Sequence, residues 1–517
     1  MPLDYKTYEE AVEKFTWNER WKLFDGSKDA FNIAHECIDR HTPEDIAVRI
    51  KHPDGKTEEY TFVQLSNYSS RFANYLEKKD IAFSERVAVL LFPSFELYVT
   101  MMGIFRRGAV AVMCFPLFGP EAIHYRLEKS NAKAIVTTRD MTAYIEPDLV
   151  KKLHLRVIVA EDLLKELDAL DPRYEWKTDV RTPCMMQFSS GTTGSPKSIL
   201  YRHGAISLVG VVMKLGNGLT PDDTYFCPSS PGWGHGIWYG TIAPLIHGKA
   251  IGTLSGKFDA EKALEAIQEW GVTNMAAISS HYRLIMECPR VEDYPLKIRK
   301  VVYTGEVMPK KLIDTIYRVW GVHPYVQYGT TEAGPIAMDF AAFENWVVKP
   351  GSLGKPMFGG VKVSILDEQD NEVPSGTIGQ VALWRNNRWF KIGDSAYMDE
   401  DGYLWYVSRM DDVIISSGYT IGPIEVENSI NKHSAVEESA VIASPKEEGG
   451  DQVKAVIVLK SGYTPSEELV EEIKTYVKDR LSKHEYPKEI EFVSEIPKTP
   501  DGKIRRKELR ERERKRR

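Results

Sequence analysis

The run Phe188-Ser189-Ser190-Gly191-Thr192-Thr193-Gly194-Ser195-Pro196-Lys197 concentrates hydroxyls and glycines and closes on a lysine. Glycines let backbone N–H groups approach a phosphate chain closely, hydroxyls donate to its oxygens, and a lysine adds charge. The run follows the apolar pair Met185-Met186, so it reads as a loop leaving a strand. It is not a Walker loop, because Pro196 stands directly before the lysine where that motif needs glycine. It is not a GxSxG nucleophile elbow either, because Phe188 stands two positions before Ser190.

Working outward, the chain alternates buried-strand runs with amphipathic stretches. Phe62, Leu65, Tyr68, Phe72 and Leu76 recur at helical spacing, and Val87-Ala88-Val89-Leu90-Leu91-Phe92 then reads as a strand ending at Pro93. A short helix marked by Ile123 and Leu127 follows, then strands at Ala134-Ile135-Val136-Thr137 and Val157-Ile158-Val159. Strands alternating with helices predict βαβ units and parallel sheets covered on both faces. From about 350 to 408 the style changes to short alternating runs, such as Val361 to Leu366 and Gly379 to Trp384, which predict a small antiparallel β subdomain. Beyond it lie strands at Ala440 to Ile442 and Ala455 to Leu459. Ser466 caps a helix with Leu469, Ile473, Val477 and Leu481 on one face. The segment from Asp501 to Arg517 holds ten basic and four acidic residues and reads as a solvated, partly frayed end. The expected fold class is α/β. A large N-terminal domain (residues 1–410) carries βαβ-type sheets and the small β subdomain, and a small mobile α+β domain spans residues 411–517.

Composition bounds the function. The chain has 517 residues, 67 Lys+Arg against 74 Asp+Glu, a net charge of −7 and 43% apolar residues. This is an ordinary soluble composition, which excludes disorder as the main state. It disfavours a nucleic-acid partner, since such domains carry a basic excess. The five cysteines are far apart and form no CxxC pair, which speaks for a reducing, cytoplasmic setting and against a Cys-based zinc site. The polar N-terminus is no signal peptide, and no apolar stretch reaches the ~20 residues of a membrane span. A homodimer is compatible with this composition. His35-Glu36-Cys37-Ile38-Asp39 is not HExxH, because Asp39 replaces the second ligand.

Further segments give the loop its context. They are Gly305-Glu306; Tyr328-Gly329-Thr330-Thr331-Glu332; Gly393-Asp394; Arg409-Met410-Asp411-Asp412; and Pro497-Lys498-Thr499-Pro500-Asp501-Gly502-Lys503-Ile504. In this order, and with the 188–197 run, they resemble the motifs of the AMP-forming acyl-CoA synthetase superfamily, the adenylating enzymes that include beetle luciferases. The likeness spans nearly the whole chain. Gly232-Trp233 and Ser417-Gly418-Tyr419 bring it nearest to the short- and medium-chain acyl-CoA synthetases.

The resemblance implies an ATP-dependent acid–thiol ligase of fatty-acid type metabolism. A short, medium, branched or aromatic carboxylic acid is adenylated with release of pyrophosphate and then passed to CoA. ATP, Mg2+ and CoA are the implied cofactors and co-substrates. Catalysis falls to Lys503, Thr192 and Glu332, with Glu332 as the magnesium ligand. The nucleotide is held by Ser189, Ser190, Gly191, Thr192, Thr193, Gly194, Lys197, Gly305, Glu306, Tyr328, Gly329, Thr330, Thr331, Asp394 and Arg409. Asp411 is the hinge. Trp233, His235, Tyr239, His281, Tyr325 and Gly329 line the acyl pocket, where a glycine at 329 leaves room for a longer chain. Ser417, Gly418 and Tyr419 pass the pantetheine arm of CoA.

Each residue also has a plain structural reading: Glu332 as a helix N-terminal acid, Asp394 as a turn aspartate, Arg409 as an ion-pair partner, the aromatics as core. On this reading Lys498, Arg505 and Arg506 are surface charges and Asp412 makes a structural contact. Thr420 stands where close relatives carry arginine. Two other functions compete: an adenylating enzyme that loads a carrier protein, and a non-catalytic nucleotide-binding relative.

Overall fold

The protein was analysed as a computed structural model describing residues 3–516, apart from 190–196, 332, 360–361, 411, 413, 417–418, 446–450, 482–485 and 500–501. For residues 189, 415, 416, 419, 420 and 425 it describes the backbone only. Contacts divide the chain into two compact units. The first comprises Met1–Gly305, Asp314–Pro335 and Asp339–Val348; the second comprises Glu306–Ile313, Ile336–Met338 and Lys349–Arg517.

The first unit is built on parallel sheets, as the alternating pattern predicts. One sheet runs in the order Arg156–Val159, Ala134–Thr137, Arg86–Leu90, Val110–Met113, Pro183–Ser189 and Lys197–Arg202. The first five strands are parallel and the last is antiparallel. A second run of parallel strands is Tyr225–Phe226, Asn274–Ile278, Lys300–Thr304 and Pro324–Thr330. A third, small sheet joins Ile46–Lys51 to Thr57–Thr61 and Ile251–Leu254.

Helix Phe62–Lys78 starts where the periodicity places it. The Thr61 side chain accepts from the Gln64 amide while the Gln64 side chain takes the Thr61 amide, which satisfies two donors that a bare helix start would leave orphaned. Helix Phe95–Arg107 has no polar stripe: it is buried from Phe95 to Arg106 apart from Glu96, and so belongs to the core. Its Arg106 is charge-paired with Asp39 at 2.8 and 2.5 Å.

The second unit opens with the expected antiparallel meander, Val363–Leu366, Gly379–Arg385, Arg388–Met398 and Leu404–Arg409. The hairpin Ile414–Ser416 with Tyr419–Ile421 follows. Then comes a three-stranded sheet of Val436–Pro445, Asp451–Leu459 and Glu489–Phe492. Ser466 caps helix Glu467–Lys478 through the Leu469 amide at 3.1 Å, and Leu469, Ile473 and Val477 are buried, as their spacing implies.

The expectation of a frayed basic end is corrected. Residues Arg506–Arg516 form a helix. Leu509 is its one buried apolar side chain. The helix is held instead by charge on one face. Arg506 reaches both oxygens of Glu427 at 2.8 and 2.6 Å. Arg510 pairs with Asp412, Glu513 with Lys454 and Ser444, and Arg516 with Glu491. Spacings of three and four put these residues on a common helical face. Arg506 is therefore no free surface charge, since its partner Glu427 is only 6% exposed. Among the described residues no helix is long and apolar enough to cross a membrane.

Candidate active site

Strand Pro183–Ser189 brings the chain to the Ser/Thr/Gly run, and Lys197–Arg202 returns beside it with Ser189 opposite Lys197. That register holds the two ends of the run one strand spacing apart, about 4.8 Å. Ser190, Gly191, Thr192, Thr193 and Gly194 lie outside the described residues. Lys197 is exposed. On the return strand, the Tyr201 hydroxyl donates to the Thr331 carbonyl at 2.8 Å. One phenol thus ties the hairpin to the Tyr328–Glu332 motif.

That motif leaves strand Pro324–Thr330 in a tight turn, where the Ala333 amide donates to Thr330 Oγ1 at 3.0 Å. The strand end is fixed to its neighbour by Thr304 Oγ1, which donates to the Gln327 carbonyl at 2.7 Å. Tyr328 is half-buried, Glu332 lies outside the described residues, and Gly305 and Glu306 are exposed at the end of Lys300–Thr304. Gly329 is also constrained by its backbone surroundings. A Cβ there would lie 2.3 Å from the Gly334 carbonyl oxygen, so glycine is required by its own turn.

The candidate acyl residues fall into small groups. The Trp233 ring packs on Phe115 at 5.1 Å and on Phe118 at 5.5 Å. His235 lies beside the Tyr239 ring at 5.9 Å, with Nδ1 2.9 Å from Ser229 Oγ. His281 stacks on Phe258 at 4.0 Å. Burial pulls His235 down to about 4 and His281 to about 3, with His235 adding to the shift of His281, so both imidazoles are neutral at pH 7. His235 Nε2 and His281 Nδ1 are buried with no partner among the described residues. Tyr325 is half-buried against the core, and burial followed by Asp339 raises its pKa.

In the second unit, Asp394 and Arg409 are directly opposite each other on adjacent strands. Arg409 Nη1 donates to Asp394 Oδ1 at 2.7 Å, and Asp394 is 4% exposed. Gly393 takes φ +79°, and a Cβ would meet Arg409 Nη2 at 3.2 Å, so this glycine both turns the chain and clears the guanidinium. Lys503 is exposed on a turn closed by hydrogen bonds from Lys503 N to Thr499 Oγ1 at 3.0 Å, from Thr499 N to the Lys503 carbonyl at 2.8 Å and from Arg505 N to the Pro497 carbonyl at 2.9 Å. Lys498 braces this turn through Glu438 at 2.5 Å. Tyr419 opens the return strand of its hairpin; Asp411, Ser417 and Gly418 lie outside the described residues.

Residues 36–387, more than half of the chain, match the AMP-binding enzyme family, and residues 425–503 match the AMP-binding enzyme C-terminal domain. This chain belongs to the AMP-binding enzyme family. It is 33% identical to acetyl-coenzyme A synthetase of Bacillus subtilis (strain 168), over 98% of this chain and 95% of the relative. Among solved structures it resembles Brucella canis acyl-CoA synthetase (31% identity, TM-score 0.76, 99% of this chain and 100% of that one). It also resembles the anthranilate CoA ligase AuaEII in complex with anthranoyl-AMP (26% identity, TM-score 0.82, 93% and 97%). The expected α/β fold and the expected class, an AMP-forming acid–thiol ligase, agree with these matches.

Within this family member, two contributors escape a reading of motifs. Tyr201 acts from outside any motif, and an alternating strand residue carries no mark that its hydroxyl will reach a carbonyl far along the chain. Gln187 takes the Trp238 indole N–H at 3.1 Å and so fixes the helix that follows Trp233. Among the described residues no group of three or more His, Cys, Asp and Glu is placed to hold a metal. A magnesium–nucleotide site does not ask for one, because the ion takes most of its oxygens from phosphates and water and needs one or two carboxylates.

Proposed function

We propose that this ligase activates a carboxylic acid of short to medium length, branched or aromatic, and transfers it to CoA in two steps. In the first, the acid's carboxylate oxygen bonds to the α-phosphorus of ATP and pyrophosphate leaves. In the second, the CoA thiolate bonds to the acyl carbon and AMP leaves. A free carboxylate is a poor acyl donor because its leaving group would be oxide; as an adenylate it releases AMP. The first step brings an anion against a polyanion, so the protein's contribution is positive charge and positioning.

In this reading the 189–197 run and Lys197 cradle the phosphates, with Thr192 donating to them. Gly305, Glu306 and Tyr328 to Thr331 border the nucleotide, Asp394 takes the ribose hydroxyls, and Arg409 orients Asp394. Lys503 bridges the carboxylate and the α-phosphate. Glu332 would hold Mg2+, which neutralises phosphate charge when bound. Trp233, His235, Tyr239, His281 and Tyr325 border the acyl group; Ser417, Gly418 and Tyr419 guide CoA, and Asp411 is the pivot between domains 1–410 and 411–517. Five cysteines, all free and four of them buried, support a cytoplasmic setting. The observation that supports the reading is the Tyr201–Thr331 hydrogen bond, which ties strand Lys197–Arg202 to the segment carrying Tyr328 to Thr331 in a chain that matches both family domains.

The test is a panel of straight, branched and aromatic acids assayed with ATP and CoA. Acid-dependent release of pyrophosphate and AMP, with acyl-CoA seen by mass spectrometry, is the expected result. ADP as product, or no turnover with any acid, refutes it.

A further inference from the structure

Four Lys and Arg residues among those described are buried: Lys51, Arg106, Arg126 and Lys454. Three are paired with carboxylates: Lys51 with Glu269, Arg106 with Asp39, and Lys454 with Glu489, Glu491 and Glu513. Arg126, 7% exposed, has no carboxylate partner among the described residues. It lies on helix Pro120–Ser130 and spends one N–H on its own helix, from Nη1 to the Ala122 carbonyl at 2.7 Å. Its guanidinium rests 3.9 Å from the centre of the Phe118 ring and 5.4 Å from that of Phe188. Buried charges in proteins are paired or bind a ligand, and a guanidinium carries five donors. Two aromatic faces hold the plane in position and offset part of the lost hydration, but they accept none of the remaining N–H groups in the way an anion does.

The location narrows the ligand. Phe188 is the residue before Ser189, where the strand enters the Ser/Thr/Gly run. Phe118 also packs on Trp233. Arg126 therefore stands beside the end of the strand that feeds the run, one ring away from a candidate acyl residue. Burial lowers its pKa from the ordinary guanidinium value, so the site disfavours the charge in the absence of an anion.

We propose that Arg126 is an anion-binding residue of this site, its unused donors taking oxygens of a substrate phosphoryl group. The inference rests on the ligase reading only for the source of that group, ATP or CoA.

The test is Arg126→Met, which keeps an apolar stem between the two rings. In wild-type and variant protein, binding of inorganic pyrophosphate is measured by titration calorimetry, and KM values for ATP, CoA and the acid are measured in turnover. The expected result is about 10- to 100-fold weaker pyrophosphate binding and a similar rise in KM for ATP, the range of one charge-assisted hydrogen-bonding group. A rise confined to CoA assigns the phosphoryl group to the coenzyme and also supports the site. A rise confined to the acid overturns it, as do pyrophosphate affinity and KM values all within about twofold of wild type in a folded variant. Should the methionine variant not fold, Arg126→Lys keeps the charge but loses the fork. Pyrophosphate binding weakened about tenfold is then expected, and unchanged binding overturns the proposal. Pyrophosphate binding needs no acid and no turnover, so a wild-type protein that binds it but activates no acid would sink the ligase reading and leave this site standing.

Discussion

Replacing Arg506 by methionine should loosen the C-terminal helix by an amount set by Glu427. That carboxylate is 6% exposed and accepts from Arg506 Nη2 at 2.8 and 2.6 Å and from the Val441 amide at 2.7 Å. Removing the guanidinium strands a buried carboxylate with one backbone donor. Breaking a buried pair from one side costs about 3–5 kcal/mol. The Val441 amide reports it directly, because its hydrogen bond ends on Glu427. At about 1.4 kcal/mol per decade, 3 kcal/mol means roughly 100-fold faster exchange of that amide after correction for intrinsic rates.

The pH dependence gives a second handle on the same pair. Burial raises the Glu427 pKa, and Arg506 opposes that shift. A carboxyl with a raised folded pKa stabilises the fold when protonated and loses that contribution as pH rises through the folded value. Without Arg506 the pKa climbs further, so the variant should be hurt more at pH 8 than at pH 5. Adding Glu427→Gln should recover part of the loss, since a neutral amide needs no cation. Exchange faster by less than about threefold at pH 8, or an equal change at both pH values, would refute this account of the pair.

Other outcomes follow from the same geometry. Lys503→Ala should abolish ATP–pyrophosphate exchange yet leave thioester formation from supplied acyl adenylate largely intact; equal loss of both would exclude a role in one step. Gly329→Ala should cost about 1–3 kcal/mol in thermal unfolding and depress turnover of every acid alike, because its Cβ meets the Gly334 carbonyl. Selective loss of the longer acids instead would show that Gly329 borders the acyl group as well. Burial draws His41, His235 and His247 down to about 4 and His203 and His281 to about 3, while Asp339 is pushed up to about 7. The depressed histidines favour the fold when neutral and withdraw that support as pH falls from about 6.5 to 4. Asp339 acts in the opposite sense, destabilising as pH rises from about 4 to 7. With these five histidines outweighing Asp339, Glu427 and His35, whose raised pKa values act in the opposite sense, melting temperature should fall between pH 6.5 and 4.5, and fall more steeply in Asp339→Asn; a flat profile would contradict the burial of these rings.

The parts of this molecule that can be read along the chain are those governed by local rules. Ala134–Thr137 is an apolar run of strand length, and Ser466 stands where a helix start needs an acceptor. What cannot be read is charge that finds its partner through space. Arg126 looks like the wet face of an amphipathic helix until Phe118 and Phe188 close around it. Arg506 and Glu513 look like part of a solvated basic tail, yet their partners Glu427 and Lys454 come from distant segments that only the fold brings under the helix. Gly329 illustrates a third limit. A missing side chain suggests free volume, and only the backbone of the turn reveals that the volume is already filled.

The helix Arg506–Arg516, stitched down by ionic contacts with a single buried apolar anchor, should answer differently to the two common denaturants. Urea, being neutral, leaves those contacts unscreened and should detach it no earlier than the sheet beneath. Guanidinium chloride brings a cation that competes for Glu427 and Glu491 and an electrolyte that weakens the outermost pair, so there the tail should peel away first.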